Sequence, residues 1–169
     1  DNTLDIIKRY ENHIDFWSSE PDKGIYDAMN KGIEKARGQY IGLLNADDWY
    51  EPGIPDKIKE KIEALDTAAE NHRKVFYSDI YEYDEELGPG NKKMRASTMK
   101  YWKGMTVSHQ SMFVPSAVYR ELGTYSLDYR WASDYDFFLR LIKANIVFEK
   151  LDTPGVNFRK GGSSTQYMN

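Results

Sequence analysis

The chain has 169 residues, of which 40% are hydrophobic and 14% aromatic, a composition typical of one globular domain with a sizeable core. Its net charge is −4 and no stretch has the basic density of a phosphate-backbone binder, which argues against a nucleic-acid partner. The lack of cysteine excludes disulfide scaffolds and thiolate zinc sites, and no apolar run approaches the roughly 20 residues of a membrane span.

The first part of the chain predicts two helices with a strand between them. Asn2 or Thr3 can cap a helix that reaches about Asn12, and residues 14–18 are typical of a short strand. Apolar residues at helical spacing then predict a helix from Ile25 to Ala36. Because the first residue is Asp rather than Met, we expect the chain to begin inside a loop.

The middle of the chain contains a continuous apolar run, Tyr40–Leu44, which predicts a strand that is buried on both faces. A long helix is expected to begin at Pro55, and the next strand is expected at 75–78. The polar segment 82–93 contains glycine and proline and predicts an exposed turn.

The last part predicts a strand at 111–114 and a helix from Pro115 to Gly123. Ser133 is expected to cap a helix over 134–144 with Asp136 as its capping-box partner, and late strands are expected at 146–148 and 156–158. The alternation of helices and strands predicts a layered α/β fold with a largely parallel sheet. Ligands bind such sheets at the carboxyl ends of the strands, where Asn45–Asp48 lies.

Asp47 and Asp48 directly follow the apolar strand. Adjacent carboxylates repel each other unless a cation or donor lies between them, and Mg²⁺ or Mn²⁺ binds one or two protein carboxylates together with phosphate oxygens and water. The alternative is that Asp47 caps a turn and Asp48 is solvated. The pair alone does not decide between these interpretations.

The start of the helix that follows residues 19–24 is a candidate anion site. Free backbone N–H groups at a helix start favour anions, Lys23 adds positive charge, and Gly24 would allow a close approach of the backbone. Asn30 and Gly32 interrupt the helical face, which predicts that something packs closely against it. The alternative is that Asp27 and Asn30 are only the polar side of an amphipathic helix.

Segments 19–32 and 38–48, in this order, closely resemble the donor-binding half of family 2 glycosyltransferases. The resemblance implies a GT-A fold, a single Rossmann-like, three-layer α/β/α domain over 1–169 with a mostly parallel central sheet. It also implies that Ala46–Asp48 is the acidic motif that holds a metal and the donor diphosphate. Because Ala46 replaces the first carboxylate of the usual motif, metal binding should depend mainly on Asp48, with Asp47 also contacting the donor. The implied donor-binding residues are Asp22, Lys23, Gly24, Asp27, Asn30 and Asp47.

Residues 131–140 resemble the acceptor-side helix of the same family, and Asp134 falls on its general base, with Ser133 in place of a common Glu. An aspartate is ionised at neutral pH and can accept the proton of a sugar hydroxyl. The acceptor-side candidates are His109, Trp131 and Asp136. The structural alternatives are that Asp134 stabilises the helix dipole, that Asp136 caps the helix and that Trp131 fills a hydrophobic gap in a loop.

The resemblance implies an inverting, metal-dependent transfer of a sugar from a nucleotide-sugar donor, a UDP-sugar by preference, to a saccharide or lipid-linked acceptor in cell-surface polysaccharide synthesis. The alternatives are a sugar nucleotidyltransferase and a non-catalytic sugar-binding module. The segment 159–163 resembles a loop that closes on donor phosphates.

Family members begin with a βαβ unit ahead of the matched region, so we expect this chain to lack that unit, to bind donor weakly and to expose a sheet edge through which two copies can associate. We expect a cytoplasmic protein. Peripheral association with the inner membrane face would suit a lipid-linked acceptor, although no basic amphipathic helix indicates it.

Overall fold

The computed structural model describes residues 2–65, 73–84 and 88–160. Within these ranges the helices are α1 (Thr3–Arg9), α2 (Ile25–Lys35), α3 (Ile54–Glu63), α4 (Ser116–Leu122) and α5 (Ser133–Lys143). Short 3₁₀ turns lie at Glu11–His13, Thr98–Lys103 and His109–Ser111. The strands are β1 (Tyr40–Gly42), β2 (Trp49–Tyr50), β3 (Lys74–Tyr77), β4 (Ile80–Asp84), β5 (Gly88–Met94), β6 (Met112–Pro115), β7 (Val147–Lys150) and β8 (Val156–Arg159).

The strands form two sheets, ordered β1-β6-β3-β7 and β2-β8-β4-β5. In the first sheet β6 is antiparallel to both of its neighbours, and only β3 and β7 are parallel. In the second sheet only β4 and β8 are parallel. The predicted α/β class is confirmed, whereas the expected predominance of parallel pairing is not found in the described part. A connection as short as the one between β4 and β5 can join only antiparallel strands.

Helices cover both faces of the first sheet, because successive side chains of its strands point in opposite directions. Val75 and Val114 face a large apolar cluster that includes Phe137 and Phe138 of α5, both fully buried. Phe76 and Phe113 face a smaller cluster on the other side, packed against Ile54 and Ile58 of α3. The layers are therefore helix, sheet and helix, and each buried phenylalanine contributes about 1.5–3 kcal/mol of burial free energy.

Several local predictions are wrong. Residues 14–18 are not a strand, and Phe16 is 56% exposed. The segment 82–93 is not a simple turn, because its described residues lie in the paired strands β4 and β5. The apolar run after Gln39 forms only a three-residue strand, and Leu44 beyond it is exposed.

Two glycines of the donor-side segment have open space around them, and for Gly32 this differs from the prediction of close packing. A β carbon at Gly24 or Gly32 would meet no atom within 4 Å among the described residues. Gly24 instead has a φ of 115°, a left-handed conformation that L side chains rarely adopt. It therefore serves the bend that leads into α2.

No helix within the described ranges is long and apolar enough to cross a bilayer.

Gly155, between β7 and β8, packs closely on Ser78, which lies between β3 and β4, and we predict that Gly155→Ala destabilises the protein. Its β carbon would lie 2.5 Å from Oγ and 3.2 Å from Cβ of Ser78, which is fully buried. Overpacking of this kind costs about 1–3 kcal/mol, measurable as a lower urea midpoint at an unchanged m-value.

Gly32→Ala is the matched control, because it adds the same methyl group where the structure has room. We expect it to stabilise the protein by about 0.5–1 kcal/mol, as alanine does in a helix. A Gly155→Ala protein with the wild-type midpoint would contradict the close packing of Gly155 on Ser78.

Candidate functional site

A cleft of about 1150 Å³ opens between the start of α2, the turn after β1, the segment after β5 and the start of α5. Of the residues predicted from sequence, Asp47, His109, Trp131 and Asp134 line this cleft. The fold thus brings an acidic residue that follows β1 into the same cavity as the candidate base, although they are far apart in the chain.

The carboxylate of Asp134 is held by donors from three segments of the chain. Its Oδ1 accepts hydrogen bonds from Tyr26 Oη and from the backbone N–H of Tyr135, each at 2.9 Å. Its Oδ2 lies 3.3 Å from Nδ1 of His109. Oδ1 therefore has both lone pairs engaged, whereas Oδ2 retains the capacity to accept a proton.

Two opposing effects set the pKa of Asp134. Burial raises it, but the hydrogen bond and charge interaction with His109 and the hydrogen bond from Tyr26 outweigh burial, so the pKa lies below its ordinary value. The carboxylate is consequently ionised at neutral pH, as a proton acceptor must be.

The surroundings of His109 indicate which ring nitrogen carries the proton. Nε2 is buried and has no hydrogen-bond partner among the described residues, whereas Nδ1 faces Asp134. An unpaired buried N–H is rarer in proteins than an unpaired acceptor, so a proton on Nδ1, the nitrogen that faces Asp134, fits this geometry. His109 then donates to Asp134 and orients it.

Tyr26 is a site residue that the sequence did not reveal. It lies in the first turn of α2, it is buried, and its hydroxyl reaches a partner 108 positions away in the chain. Burial and the neighbouring Asp134 raise its pKa to about 12, so it stays protonated and remains a donor. The local sequence around Tyr26 carries no signal for a polar role.

The two adjacent aspartates after β1 have different environments. Asp47 is exposed and lines the cleft. Asp48 is only 7% exposed, and its Oδ1 and Oδ2 accept hydrogen bonds from Arg159 N (3.0 Å) and Gln110 Nε2 (3.2 Å). Burial raises the pKa of Asp48 although these donors oppose the rise, and the nearby charge of Asp47 adds to it. Asp48 does not line the cleft.

The predicted donor-binding residues before and within α2 form hydrogen bonds inside the protein. Asp22 accepts from Gly24 N, and Asp27 accepts from Lys23 N, an interaction that lowers the pKa of Asp27. The side-chain amide of Asn30 pairs with both backbone groups of Tyr125 at 2.8 and 2.9 Å. These contacts fix the bend before α2 and tie the helix to the loop after α4.

None of the residues Asp22, Lys23, Gly24, Asp27 and Asn30 lines the cleft. Their contact with a donor stays a prediction.

The start of α5 differs from the predicted capping box. Ser133 is the first residue of the helix, and its buried Oγ has no hydrogen-bond partner in the described part of the chain. Asp136 does not cap but accepts from Arg140 Nε at 2.9 Å, and Arg140 donates to the carbonyls of Leu122 and Thr124. Asp136 thus orients an arginine that anchors a loop, and it lies outside the cleft.

Cationic side chains line the cleft as well. Arg95 and Lys100 are exposed there, and neither forms an ion pair with another described residue. Arg159 also lines the cleft, and its guanidinium lies 5.9 Å from the ring centre of Trp49 and 5.7 Å from that of Tyr83. Together these side chains give the cleft the means to bind an anion.

Within the described ranges no group of three or more His, Cys, Asp and Glu residues is arranged to hold a metal ion. A Mg²⁺ or Mn²⁺ ion that also binds phosphate oxygens needs only one or two carboxylates. Asp47 fits this requirement, and Asp48 has one lone pair left on each oxygen. Of the late loop predicted over 159–163, residues 161–163 lie outside the described residues.

Comparison with known proteins shows a consistent relationship. Residues 1–123 match the family model of Glycosyl transferase family 2. An uncharacterised glycosyltransferase of Mycobacterium tuberculosis is 29% identical over 175 residues, which cover 97% of this chain and 64% of the relative. A PGL/p-HBAD biosynthesis glycosyltransferase of Mycobacterium bovis is 28% identical over 153 residues, with 83% and 53% covered.

The crystal structure of S. aureus TarS 1–349 has a TM-score of 0.65 with this chain at 15% identity, covering 94% of this chain and 48% of TarS. This likeness shows a shared fold. The chain spans about half to two thirds of the length of the proteins it matches.

We predict that Tyr26→Phe raises the pKa of Asp134, because the ionised carboxylate loses a donor. A carboxyl whose folded pKa is depressed stabilises the protein above its unfolded pKa, and this stabilisation disappears as the pH falls through the folded pKa. The variant should therefore lose part of the stability that Asp134 contributes at neutral pH. A ¹³C NMR titration of the Asp134 carboxyl measures the pKa directly.

Tyr135→Phe is the control, since its hydroxyl donates to the carbonyl of Tyr101 and not to Asp134. The Asp134 pKa should stay at its wild-type value in this variant. An equal pKa change in both variants would refute a specific Tyr26–Asp134 bond.

Proposed function

The chain belongs to glycosyl transferase family 2, and we propose that it carries the catalytic centre of a metal-dependent, inverting glycosyltransferase that uses a nucleotide-sugar donor. The observation that carries the proposal is that Asp134, held ionised by its hydrogen bonds, lines the same cleft as Asp47. A transferase needs both a proton acceptor for the incoming hydroxyl and a site for the departing diphosphate.

Positive charge in the cleft supports a donor that carries a diphosphate. Arg95, Lys100 and Arg159 line the cleft and suit an anionic leaving group. Asp47, exposed in the same cleft, would suit a divalent ion that also binds phosphate oxygens. When bound, such an ion would neutralise the charge that develops on the diphosphate. Asp47 would hold it, with Asp48 as the second carboxylate.

The reaction that this arrangement supports is a single displacement. The acceptor hydroxyl oxygen forms a bond to the anomeric carbon, and its proton passes to Oδ2 of Asp134. The bond between the anomeric carbon and the diphosphate oxygen breaks, and its electron pair stays on the diphosphate. Attack on the face opposite the leaving group inverts the configuration, through an oxocarbenium-like transition state.

Oδ2 is the proton-accepting atom in this proposal because Oδ1 already accepts two hydrogen bonds from Tyr26 and Tyr135. These donors and His109 would fix the direction of the remaining lone pair. Trp131, which is 52% exposed and lines the cleft, offers a flat apolar face for a sugar ring of the acceptor.

We assign the donor to the UDP-sugars and the acceptor to saccharides or lipid-linked saccharides of the cell surface, as family membership favours. One relative is named a PGL/p-HBAD biosynthesis glycosyltransferase, and this name supports a biosynthetic role. Association of two copies through the edge of β1 stays part of the proposal, since β1 pairs with only one strand among the described residues.

We predict that UDP stabilises the protein against heat only when Mn²⁺ is present, and that Asp47→Asn removes most of this effect. Losing a charged ligand to the metal should weaken the Mn²⁺-dependent affinity by about 10–100-fold. A thermal-shift titration of UDP with and without Mn²⁺ measures the affinity through the stabilisation that binding produces.

Asp56→Asn, a neutralised exposed aspartate in the first turn of α3 and outside the cleft, serves as the charge control. It should bind UDP and Mn²⁺ as the wild type does. Equal Mn²⁺-dependent stabilisation of the wild type and Asp47→Asn would remove Asp47 from the metal site.

We further predict that Asp134→Asn lowers kcat/KM by roughly 10²–10⁴-fold, because the acceptor hydroxyl loses its base. UDP binding with Mn²⁺ should persist, since Asp134 accepts a proton and does not hold the diphosphate. Nucleotide release from a panel of UDP-sugars with saccharide acceptors measures the turnover. Undiminished turnover in Asp134→Asn would refute the assignment of Asp134 as the base. No turnover by the wild type with any donor would favour a non-catalytic sugar-binding module.

A further inference from the structure

Residues 93–105 carry a local excess of positive charge in an acidic protein. They include four cations (Lys93, Arg95, Lys100 and Lys103) and no Asp or Glu, whereas the whole chain has a net charge of −4. We call residues 93–105 the basic wall, because Arg95 and Lys100 form one side of the cleft. Positive charge is therefore concentrated in this segment.

The basic wall also exposes large apolar side chains. Met99 is 77% exposed and Trp102 is 65% exposed, and Met94 and Tyr101 are exposed by 42% and 36%. The rings of Tyr101 and Trp102 lie edge to face, 5.5 Å apart. Exposed apolar groups that cluster in one short segment indicate an interaction surface, unlike apolar residues scattered singly.

Hydrogen bonds hold this segment in place, so the exposure is not that of a frayed end. The hydroxyl of Ser97 accepts from Met99 N, and Ser97 N donates to the carbonyl of Thr106. The carbonyl of Tyr101 accepts from Tyr135 Oη at 2.7 Å, which ties the segment to α5. The fold thus maintains a surface with Met99 and Trp102 on the outside.

We propose that the basic wall docks on an anionic membrane surface. Tryptophan and tyrosine are the side chains that favour the boundary between water and lipid, and lysines near an anionic leaflet add electrostatic attraction. Lys93 is partly neutralised by Asp79, at 3.3 Å, whereas Lys100 and Lys103 form no ion pair within the described residues. Charge complementarity therefore selects an anionic lipid surface as the partner.

Docking in this orientation would bring the cleft to the membrane surface, because Met94, Arg95, Ser97 and Lys100 belong both to the basic wall and to the lining of the cleft. A membrane-borne molecule could then enter from the lipid side. The docking itself is independent of the reaction proposed above, so an experiment that refutes one of the two proposals does not refute the other.

Flotation with vesicles tests the proposal on the purified chain. The chain should float with vesicles of equimolar phosphatidylglycerol and phosphatidylcholine, should not float with phosphatidylcholine alone, and should be released by salt. Lys103→Gln should weaken binding about fivefold, the equivalent of one lysine near the surface. Trp102→Ala should weaken it by about tenfold through lost apolar contact.

Phe16→Ala and Lys59→Gln are the matched controls, since these side chains are 56% and 73% exposed on other elements. Both should bind vesicles as the wild type does, and Trp102→Ala should still bind UDP with Mn²⁺. Absence of flotation with the anionic vesicles, or equal loss in Phe16→Ala and Trp102→Ala, would overturn the proposal. A dimer that Trp102→Ala dissociates, without vesicle binding, would assign the surface to a second copy instead.

Discussion

The site depends on how the protein keeps one carboxylate charged in a partly buried position. Asp134 lies in the first turn of α5, and it is stabilised there by Tyr26 from α2, by His109 from the turn before β6 and by the backbone of Tyr135. Removing a carboxylate from water is unfavourable unless donors replace the water, so these segments must meet for the charge to persist. The same contacts fix the position of α2, which carries the bend that the sequence indicated as an anion site.

The adjacent aspartates after β1 show how a fold gives two identical side chains different roles. Asp48 turns inward where the chain passes from the first sheet to the second, and Arg159 N from the end of β8 and Gln110 Nε2 satisfy it. Its contacts therefore hold both sheets at the bottom of the cleft. Asp47, one position earlier, is left at the surface of the cleft. The two hydrogen bonds of Asp48 offset part of the repulsion between the neighbouring carboxylates, and the charge of Asp47 still contributes to the raised pKa of Asp48.

Short sequence patterns predicted local elements but not the contacts between residues that are distant in the chain. The apolar spacing of α2 and the acidic turn after β1 lie within short windows, so both were predicted near their observed positions. The roles of Tyr26 and Gln110 depend on partners 108 and 62 positions away, which no short pattern encodes. Ser133 was predicted to precede the helix but is its first residue, because the local sequence does not distinguish these two positions. The extent of parallel strand pairing was overestimated, because the alternation of helices and strands does not determine strand direction.

The separation of charge across the cleft has a chemical consequence. Asp134 is kept ionised by a tyrosine hydroxyl, a backbone N–H and a histidine, and not by Arg95 or Lys100. A direct arginine or lysine partner would depress the carboxyl pKa further and weaken the base, and it would also consume the cation. Since neither cation is paired within the described residues, both stay free to attract an anion while the carboxylate stays free to accept a proton. The cations that would bind the donor and the carboxylate that would accept the proton of the acceptor can therefore lie in one cleft without forming an ion pair with each other.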